Sequence, residues 1–406
     1  MMKSFVRVGT LTIVDADGKR HVFSGAPGPS VTVKLTDRSL PRKLFLNPGL
    51  VVGEAYMDGT LSFEDSTLRD FLALFSANRT SLGSYPLQKV VRTVTRALRK
   101  FQQANPVGKA QQNVAHHYDI GNEFYKLFLD RDMQYSCAYF TSDQDTLEDA
   151  QQNKMRLIAS KLQLEPGQRI LDIGSGWGNL ALYLASLERV DVTGVTLSKE
   201  QHALSNEKAR QMGVADRVRF ELRDYREVTE SFDRIVSVGM FEHVGVPHYG
   251  EFFSKIKDML TGDGLMLLHS IGHMRPPGPS SPWIRKYIFP GAYGPALSEV
   301  FAATEIAGLW VTDVEILRLH YARTLREWGA RFEANRARVA EMYDERFCRM
   351  WEFYLVSAEM MFETGANHVF QMQLSHKIDA VPVMRDYITD LQRHYRKIEQ
   401  PGNPSA

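Results

Sequence analysis

The residues whose types and spacing most clearly suggest chemistry form a glycine-rich turn. Gly174, Gly176 and Gly178 alternate along the chain, directly after the apolar strand Ile170–Ile173 with its acidic residue Asp172. Glycine lets the backbone approach a ligand closely and adopt positive φ angles. The spacing is G-x-G-x-G rather than the G-x-G-x-x-G of dinucleotide-binding folds, so no pyrophosphate site is expected. An acidic residue at the strand end can instead bind a cationic or amine-bearing ligand.

Further strands follow this turn, and polar clusters stand at their carboxyl ends. The predicted strands are Val190–Val195, Val218–Leu222, Phe232–Val238 and Gly264–His269, with helical stretches between them. Alternating strands and helices predict an α/β fold with a parallel sheet, which binds ligands at the carboxyl ends of its strands. The polar residues at these ends are Thr196, Gln201, Asp224, Glu242 and His269.

Composition and charge exclude several classes of protein. The 406 residues carry a formal net charge of +1, which does not indicate bulk binding to nucleic acid. No apolar run approaches the ~20 residues of a membrane span, and the N-terminus lacks the apolar segment of a signal peptide. Cys137 and Cys348 cannot form a disulfide framework, and the pair His116 and His117 has no third ligand at zinc spacing. We therefore expect a cytoplasmic protein with no metal site.

The chain divides into segments of different character. The sequence pattern of residues 1–85 predicts a small α+β domain that lacks a set of catalytic residues. Its expected strands are Val6–Val14, His21–Ser24 and Val31–Leu35, and its expected helices are Leu44–Asp58 and Ser66–Phe75. Residues 109–400 carry the candidate catalytic motifs, with a Pro- and Gly-rich insertion at 275–295 and a helical part at 324–397. Residues 401–406 are expected to be a disordered tail.

A basic amphipathic helix is predicted at 86–103, within a linker at 86–108. Apolar residues recur there at helical spacing, and basic residues occupy the rest of the surface. The apolar residues are Leu87, Val90, Val91, Val94, Leu98 and Phe101, and the basic residues are Lys89, Arg92, Arg96, Arg99 and Lys100. Two interpretations stay open: a helix that lies on an anionic lipid surface, or a linker helix packed on its neighbour.

Residues 113–378 resemble the cyclopropane fatty-acyl-phospholipid synthase family, which includes the mycolic acid cyclopropane synthases and related lipid methyltransferases. The resemblance rests on ordered motifs at 116–125, 134–140, 171–178, 194–201, 239–245, 268–272, 289–291 and 321–325. It implies a Rossmann-like class I methyltransferase core with helical lid insertions, which binds S-adenosylmethionine. Residues 1–85 more loosely resemble the extra domain of two-domain members, which engages lipid.

The resemblance implies a set of cofactor-binding residues. They are Tyr135, Ser136, Asp172, Gly174, Gly176, Trp177, Gly178, Thr196, Gln201 and Asp224. The glycine turn is expected to receive the amino acid end of the cofactor, Thr196 and Gln201 the ribose, and Asp224 the adenine amine. Trp177 stands between two glycines, so we expect it to form a wall of the cofactor site rather than to be fully buried in the core.

The resemblance also implies a bound bicarbonate that acts as a base. An alkene that attacks a methyl group becomes a carbocation, which needs an apolar pocket and a base for ring closure. The matching positions are Cys137, Glu242, His269 and Tyr321, together with the backbone of Ile271. Alone, each side chain has a structural alternative: Cys137 as a small buried hydrophobe, Glu242 as a helix-start carboxylate, His269 and Tyr321 as core residues. Together, inside matching motifs, they favour an anion site.

Three functions are compatible with these observations. The first is transfer of a methylene group from S-adenosylmethionine to a cis double bond of an unsaturated phospholipid acyl chain, forming a cyclopropane ring. The second keeps the cofactor and first step but gives a methyl-branched or methyl-alkene acyl chain. The third is a non-catalytic lipid-binding protein. The first two place the protein in the cytoplasm, peripherally at the inner membrane face. The oligomeric state is left open, with a homodimer as one alternative.

The basic helix generates a prediction about membranes. Replacing Arg92, Arg96, Arg99 and Lys100 by Gln should weaken co-sedimentation with anionic vesicles, because each basic residue near such a surface contributes about 1 kcal/mol. Binding of the unmodified protein should also fall as salt is added. Equal co-sedimentation of the variant would favour the linker interpretation, and unchanged affinity for the cofactor is the control for folding.

Overall fold

The structure, a computed structural model, describes residues 5–79 and 120–400. The described strands are β1 (Val8–Val14), β2 (Arg20–Ser24), β3 (Ala26–Leu35), β4 (Leu61–Glu64), β5 (Arg169–Ile173), β6 (Asp191–Thr196), β7 (Val218–Leu222), β8 (Phe232–Val238), β9 (Leu260–His273), β10 (Trp310–Ile316) and β11 (Asn367–Ser375). The described α-helices are α1 (Leu40–Leu46), α2 (Pro48–Met57), α3 (Leu68–Ala77), α4 (Asn122–Tyr125), α5 (Leu147–Leu162), α6 (Asn179–Leu187), α7 (Lys199–Gln211), α8 (Tyr249–Met259), α9 (Pro282–Tyr287), α10 (Leu297–Ala307), α11 (His320–Ala334), α12 (Arg336–Met342), α13 (Glu345–Glu363) and α14 (Asp386–Glu399). Short 3₁₀ turns lie at Tyr225–Glu227, Phe241–His243 and Val246–His248. No described helix is both long enough and apolar enough to cross a membrane.

Three separate stretches of sequence form one compact unit: residues 5–79, 278–290 and 325–366. Its sheet has the order β2-β1-β3-β4, with β1 and β3 parallel and the other pairs antiparallel. The later stretches join the first through tight packing. A side chain on Gly53 would collide with the Trp283 indole, because its Cβ would lie 2.3 Å from Nε1. Buried Glu359 forms an ion pair with Arg69. Sequence order had placed 278–290 and 325–366 in the domain at 109–400.

The second compact unit holds residues 120–277, 291–324 and 367–400. Its sheet has the order β10-β11-β9-β8-β5-β6-β7, with β5, β6, β7, β8 and β9 parallel and β11 antiparallel to both its neighbours. The predicted α/β fold is confirmed, and β7 and β8 have the predicted bounds. The chain adds strands on one side of β5 and then on the other. Ligands bind at this change of direction, beyond the carboxyl ends of β5 and β8.

The sheet is covered by apolar side chains on both faces. Ile170 belongs to one buried cluster and Leu171 to the other, because successive side chains of a strand point to opposite faces. Helix α5 contributes Ile158 to the first cluster, and α8 contributes Phe252 to the second. The polar residues at the strand ends therefore lie at the rim of an apolar core.

The predicted helical part at 324–397 is wrong in one stretch, where the chain forms the buried strand β11. This strand carries polar residues that are unusual in a buried strand, among them Gln371 and Gln373. Their amides are satisfied by particular partners from other elements, including Lys161. The alternation typical of a strand is nevertheless present, because Phe370, Met372 and Leu374 face one apolar cluster while the glutamines project to the other face, where hydrogen bonds satisfy them.

Candidate active site

The glycine turn has the backbone that the sequence predicted. Gly174, Gly176 and Gly178 have φ angles of +82°, +55° and +83°, which residues other than glycine rarely adopt. A Cβ on Gly174 would lie 2.8 Å from the Cβ of Met240. The N–H groups of Gly174 and the next residue donate to the carbonyl of Val195 at 2.9 and 3.1 Å, so the turn lies close against β6. The absence of side chains therefore keeps the backbone accessible at the end of β5.

A cavity opens at the carboxyl ends of the central parallel strands. This is the edge at which α/β sheets bind small molecules. Five of the predicted cofactor residues line it: Gly174, Gly176, Thr196, Gln201 and Asp224. The structure thus brings together, in one cavity, residues that the sequence distributes over 50 positions.

Three polar side chains of the cavity are held by hydrogen bonds inside the protein. The Thr196 hydroxyl donates to the side-chain carbonyl of Gln201 at 3.0 Å, which leaves the Gln201 amide nitrogen to donate to a ligand. Asp224 binds the Arg226 guanidinium with both oxygens, at 2.9 and 2.8 Å. A carboxylate has further lone pairs, so Asp224 can still accept a bond from a ligand amine. Its predicted role at adenine stays a prediction.

Asp172 and the missed residue Lys154 form a buried charged cluster behind the turn. Burial raises the pKa of Asp172 to about 7, and its Oδ2 has no hydrogen-bond partner among the described residues. Lys154 of α5 is buried as well, and burial lowers its pKa to about 8 while Asp130 and Asp172 oppose the shift. A lysine in a helix of mixed composition has no sequence signature, so sequence analysis did not identify it.

Helix α5 holds the segment that carries the predicted cofactor residues Tyr135 and Ser136. The Lys154 ammonium donates to the Gln134 side chain and, at 2.8 Å, to the Ser136 hydroxyl. One turn earlier on the helix, the Gln151 amide donates to the backbone carbonyls of residues 134 and 136 at 3.1 and 3.0 Å. Helix α5 therefore forms hydrogen bonds with both the backbone and the side chains of the segment at 134–136.

Trp177 is buried, with only 5% of its surface exposed, so the expectation that it is not fully buried is wrong. Its indole N–H donates to Asn122 at 2.7 Å, and its ring lies 5.2 Å from the ring of Tyr125. Tyr135 contacts the same Tyr125 ring at 5.3 Å. Trp177 is not among the residues that line the cavity described above. Its role as a wall of the cofactor site stays a prediction.

Glu242 is a buried carboxylate at the end of β8. Its Oε1 accepts the backbone N–H of Ile271 at 2.7 Å, and its Oε2 has no hydrogen-bond partner among the described residues. Burial raises its pKa to about 7. The Ile271 N–H was predicted to lie beside a bound anion, but here it is engaged by Glu242. An unpartnered buried oxygen is costly, and a bound group that can donate a hydrogen bond would satisfy it.

His269 is buried and neutral. Burial lowers its pKa to about 3, with Lys154 and Lys161 contributing to the same direction. Its Nδ1 lies 3.2 Å from the amide nitrogen of Gln371, which faces it from β11. The predicted strand end at His269 is wrong, because β9 continues to His273 and His269 lies within the strand. The sequence gave no sign of Gln371, because the two positions are far apart along the chain and meet only through strand pairing.

The remaining predicted anion-site residues, Cys137 and Tyr321, are both buried. Burial raises the pKa of the Cys137 thiol, which favours its protonated form. The first turn of α11, which carries Tyr321, binds the segment after Cys137. The Thr324 hydroxyl accepts the N–H of Ala138 at 3.0 Å, and His320 accepts the N–H of Phe140 at 3.1 Å. These bonds bring the two elements together.

Two sequence predictions cannot be compared with the structure. The basic helix at 86–103 and the pair His116 and His117 lie outside the described residues. Among residues 5–79 and 120–400, no group of three His, Cys, Asp or Glu side chains could hold a metal ion.

Comparisons with known proteins agree with this arrangement. The family model described as mycolic acid cyclopropane synthetase matches residues 107–372. The chain is 37% identical over 361 residues to the cyclopropane-fatty-acyl-phospholipid synthase of Escherichia coli, covering 88% of this chain and 90% of that protein. It is 32% identical over 377 residues to the tuberculostearic acid methyltransferase UfaA1 of Mycobacterium tuberculosis, covering 90% and 87%.

A solved structure shares the fold of about two thirds of this chain. The crystal structure of mycolic acid cyclopropane synthase CmaA1 complexed with SAH and CTAB is 36% identical to this chain, with a TM-score of 0.62. It covers 65% of this chain and 97% of its own length. The fold is therefore that of the methyltransferases, with a mostly parallel seven-stranded sheet and flanking helices.

Burial of Glu242 predicts a pH-dependent stability. Its pKa rises from the ordinary 4.5 to about 7, so the folded protein keeps a proton that the unfolded chain releases. The contribution of Glu242 to the free energy of unfolding therefore falls as pH rises from about 4.5 to 7. Glutamine has no such proton. The free energy of unfolding of Glu242→Gln, measured relative to that of the parent protein, should therefore rise by about 3 kcal/mol between the lower and the upper end of this pH range.

Urea unfolding at several pH values in bicarbonate-free buffer measures this difference. The exposed Glu305 provides a matched control, because Glu305→Gln should leave the pH dependence of the parent protein unchanged. A Glu242→Gln variant with the same pH dependence as the parent would contradict the assignment of a raised pKa to this carboxyl group.

Proposed function

Because the chain belongs to the mycolic acid cyclopropane synthetase family, we propose that it transfers a methylene group from S-adenosylmethionine to a cis double bond of an unsaturated phospholipid acyl chain, forming a cyclopropane ring. The chain is an S-adenosylmethionine-dependent methyltransferase of the cyclopropane synthase type, so the non-catalytic alternative is excluded. The observation that favours a phospholipid acceptor is the share of this chain that each relative matches. The Escherichia coli phospholipid enzyme matches 88% of this chain, whereas the mycolic acid enzyme of known structure matches 65%.

The cavity at the glycine turn fits S-adenosylmethionine. A Cβ on Gly174 would enter the space beside Met240, so this part of the backbone is open only because glycine stands there. Buried Asp172 has an unpartnered oxygen, and the Gln201 amide nitrogen is left to donate to ribose hydroxyls. When bound, the cofactor supplies an electrophilic methyl group on a positively charged sulfur. The protein's own residues orient it and exclude water from the reacting face.

The second polar group, around Glu242 and His269, fits bicarbonate. The unpartnered Oε2 of Glu242 can accept the hydroxyl proton of such an anion, and the neutral His269 ring can donate to one of its oxygens. Tyr321 and Cys137 are the further candidate ligands. When bound, bicarbonate supplies a base near the carbocation that the double bond becomes. The buried side chains hold this base in an environment with little water, where its charge acts strongly.

A second outcome of the same first step has a specific observation in its favour. The relative named tuberculostearic acid methyltransferase matches 90% of this chain, and it is not named as a cyclopropane synthase. A methyl-alkene acyl chain would arise if the proton leaves from a different carbon. A methyl-branched chain would arise if a separate hydride-donating reductase then adds a hydride and a proton to that alkene. Small differences in the position of the base decide between these products.

An acyl-chain acceptor requires contact with a membrane. The double bond lies within the hydrocarbon region, so we place the protein peripherally at the inner membrane face, where an acyl chain can be drawn into the site. The same proposal assigns an anionic lipid surface as a partner. The vesicle experiment on the basic helix tests it.

Lipid mass spectrometry after expression of this chain in a host with unsaturated phospholipids tests the function. We expect acyl chains that gain one CH₂ group and lose the reactive double bond. A gain of one CH₂ with the double bond retained indicates a methyl-alkene, and a further gain of two hydrogens indicates a methyl-branched chain. Glu242→Gln and His269→Ala should lose the product, whereas Glu305→Gln should keep it. No mass gain from the parent protein would contradict the proposal.

Cofactor affinity is tested at the glycine turn by calorimetry. Gly174→Ala should weaken S-adenosylmethionine binding at least about tenfold, because the new methyl group enters the cavity. Gly167→Ala is the matched control. Gly167 has nearly the same φ, +83°, lies before β5 rather than after it, and has open space where the Cβ would stand. Both variants carry the same backbone strain, about 1–2 kcal/mol. Equal affinities of the two folded variants would contradict the placement of the cofactor.

A further inference from the structure

A chain of buried hydrogen bonds leads from the edge of the sheet to His269. The Lys161 ammonium of α5 donates to Glu315 at 2.6 Å and to the side-chain carbonyl of Gln371 at 2.8 Å. The Gln371 amide nitrogen lies 3.2 Å from Nδ1 of His269. Lys161, Gln371 and His269 are all buried, so water does not compete for these bonds. Neither Lys161 nor Gln371 belongs to the residues that the sequence singled out.

The chemistry of lysine determines the direction of every bond in this chain. An ammonium group can only donate, so the Gln371 atom that faces Lys161 is the carbonyl oxygen. The amide nitrogen then faces His269, and an amide nitrogen can only donate. Nδ1 of His269 must therefore accept, which places the proton of the neutral ring on Nε2. Burial keeps the ring neutral, since it lowers the pKa of His269 to about 3.

We propose that Gln371, oriented by Lys161, is a positioning residue that holds His269 in the tautomer with its proton on Nε2. The ring then presents an N–H donor, rather than an acceptor, to a bound anion. This role rests on the proposed function, in which His269 donates to bicarbonate. The tautomer itself follows from the hydrogen bonds alone and is present without any ligand.

Strand pairing makes this arrangement possible. Gln371 is paired directly with His269 across the antiparallel strands β11 and β9, so the two side chains project from the same face of the sheet. Lys161 approaches that face from α5, and its charge is balanced by Glu315 and, at 3.7 Å, by Asp313. Arg385 binds the same two carboxylates. The charge of Lys161 is thus held in place, which fixes the amide that it orients.

A second glutamine on the same strand shows what a purely structural role looks like. Gln373 is also buried, and two residues along β11 it points to the same face. Its amide nitrogen donates to the backbone carbonyl of Lys161 and to the Tyr387 hydroxyl, and its carbonyl accepts from Thr312 at 2.8 Å. None of these hydrogen bonds reaches His269. Gln373 is therefore the matched control for Gln371.

The tautomer is measured directly by nitrogen NMR of the resting protein labelled at histidine. The signals of His269 are assigned by their loss in His269→Ala. We expect a protonated Nε2 and an unprotonated Nδ1 in the parent protein. In Gln371→Glu, the new carboxylate still accepts from Lys161 but also accepts from the ring, so Nδ1 should become protonated. Gln373→Glu should leave the His269 signals unchanged. A protonated Nδ1 in the parent protein, or an unchanged ring in folded Gln371→Glu, would overturn the inference.

Turnover tests whether the tautomer matters for the reaction. Gln371→Glu should lower kcat at least about 100-fold, the usual effect of losing one hydrogen-bond donor to a reacting anion, with S-adenosylmethionine affinity unchanged. Lys161→Met removes the donor that orients the Gln371 amide, so the amide can rotate and kcat should fall. Lys161→Arg keeps a group that can only donate, so its kcat should stay near that of the parent protein. Unchanged kcat in Gln371→Glu with an altered tautomer would overturn the positioning role.

The two proposals fail in different ways. If the parent protein shows the expected tautomer but makes no modified lipid, the proposed function fails and the hydrogen-bond inference about the resting protein stands. If the parent protein makes the lipid and its His269 carries the proton on Nδ1, the inference fails and the proposed function stands.

Discussion

Burial of ionisable groups at the carboxyl edge of the seven-stranded sheet is the constraint on which the rest of the site depends. Water is scarce there, so charged forms are disfavoured unless a partner compensates. Asp172 and Glu242 consequently have pKa values raised to about 7, and His269 has a pKa lowered to about 3. A protonated Glu242 can exchange hydrogen bonds with a bound anion without the repulsion that a carboxylate would bring, and Asp172 can still ionise when a cationic ligand approaches.

This constraint explains why one helix contributes so many polar side chains. Helix α5 is buried along most of its length, yet it directs Gln151, Lys154 and Lys161 towards two different parts of the second unit. Gln151 and Lys154 hold the segment at 134–136, and Lys161 orients the glutamine that faces His269. Their spacing of three and seven residues keeps them on one side of the helix. The other side supplies apolar residues to the core, so the same helix stabilises the sheet and orients the site.

The reversed strand β11 has a similar double function. It lies between β9 and β10, so it completes the sheet, and it presents two buried glutamines to the layer formed by α5. Such residues are costly in a strand interior unless every polar atom finds a partner. The structure provides these partners from α5, β9 and β10. We infer that the polar character of β11 belongs to the site as much as to the sheet.

The sequence alone was sufficient for the parts of this protein that depend on local patterns. The glycine turn, the alternation of strands and helices, and the polar residues at strand ends are local, so they predicted the α/β fold and the cavity residues Gly174, Thr196 and Gln201. The burial of Trp177 and the roles of Lys154 and Gln371 were not predictable. Each of these depends on partners that are distant in the chain: Asn122 for Trp177, Ser136 for Lys154, His269 for Gln371. A hydrogen bond between distant segments leaves no periodic trace in the sequence, so only the tertiary structure decided which buried polar residues serve the site.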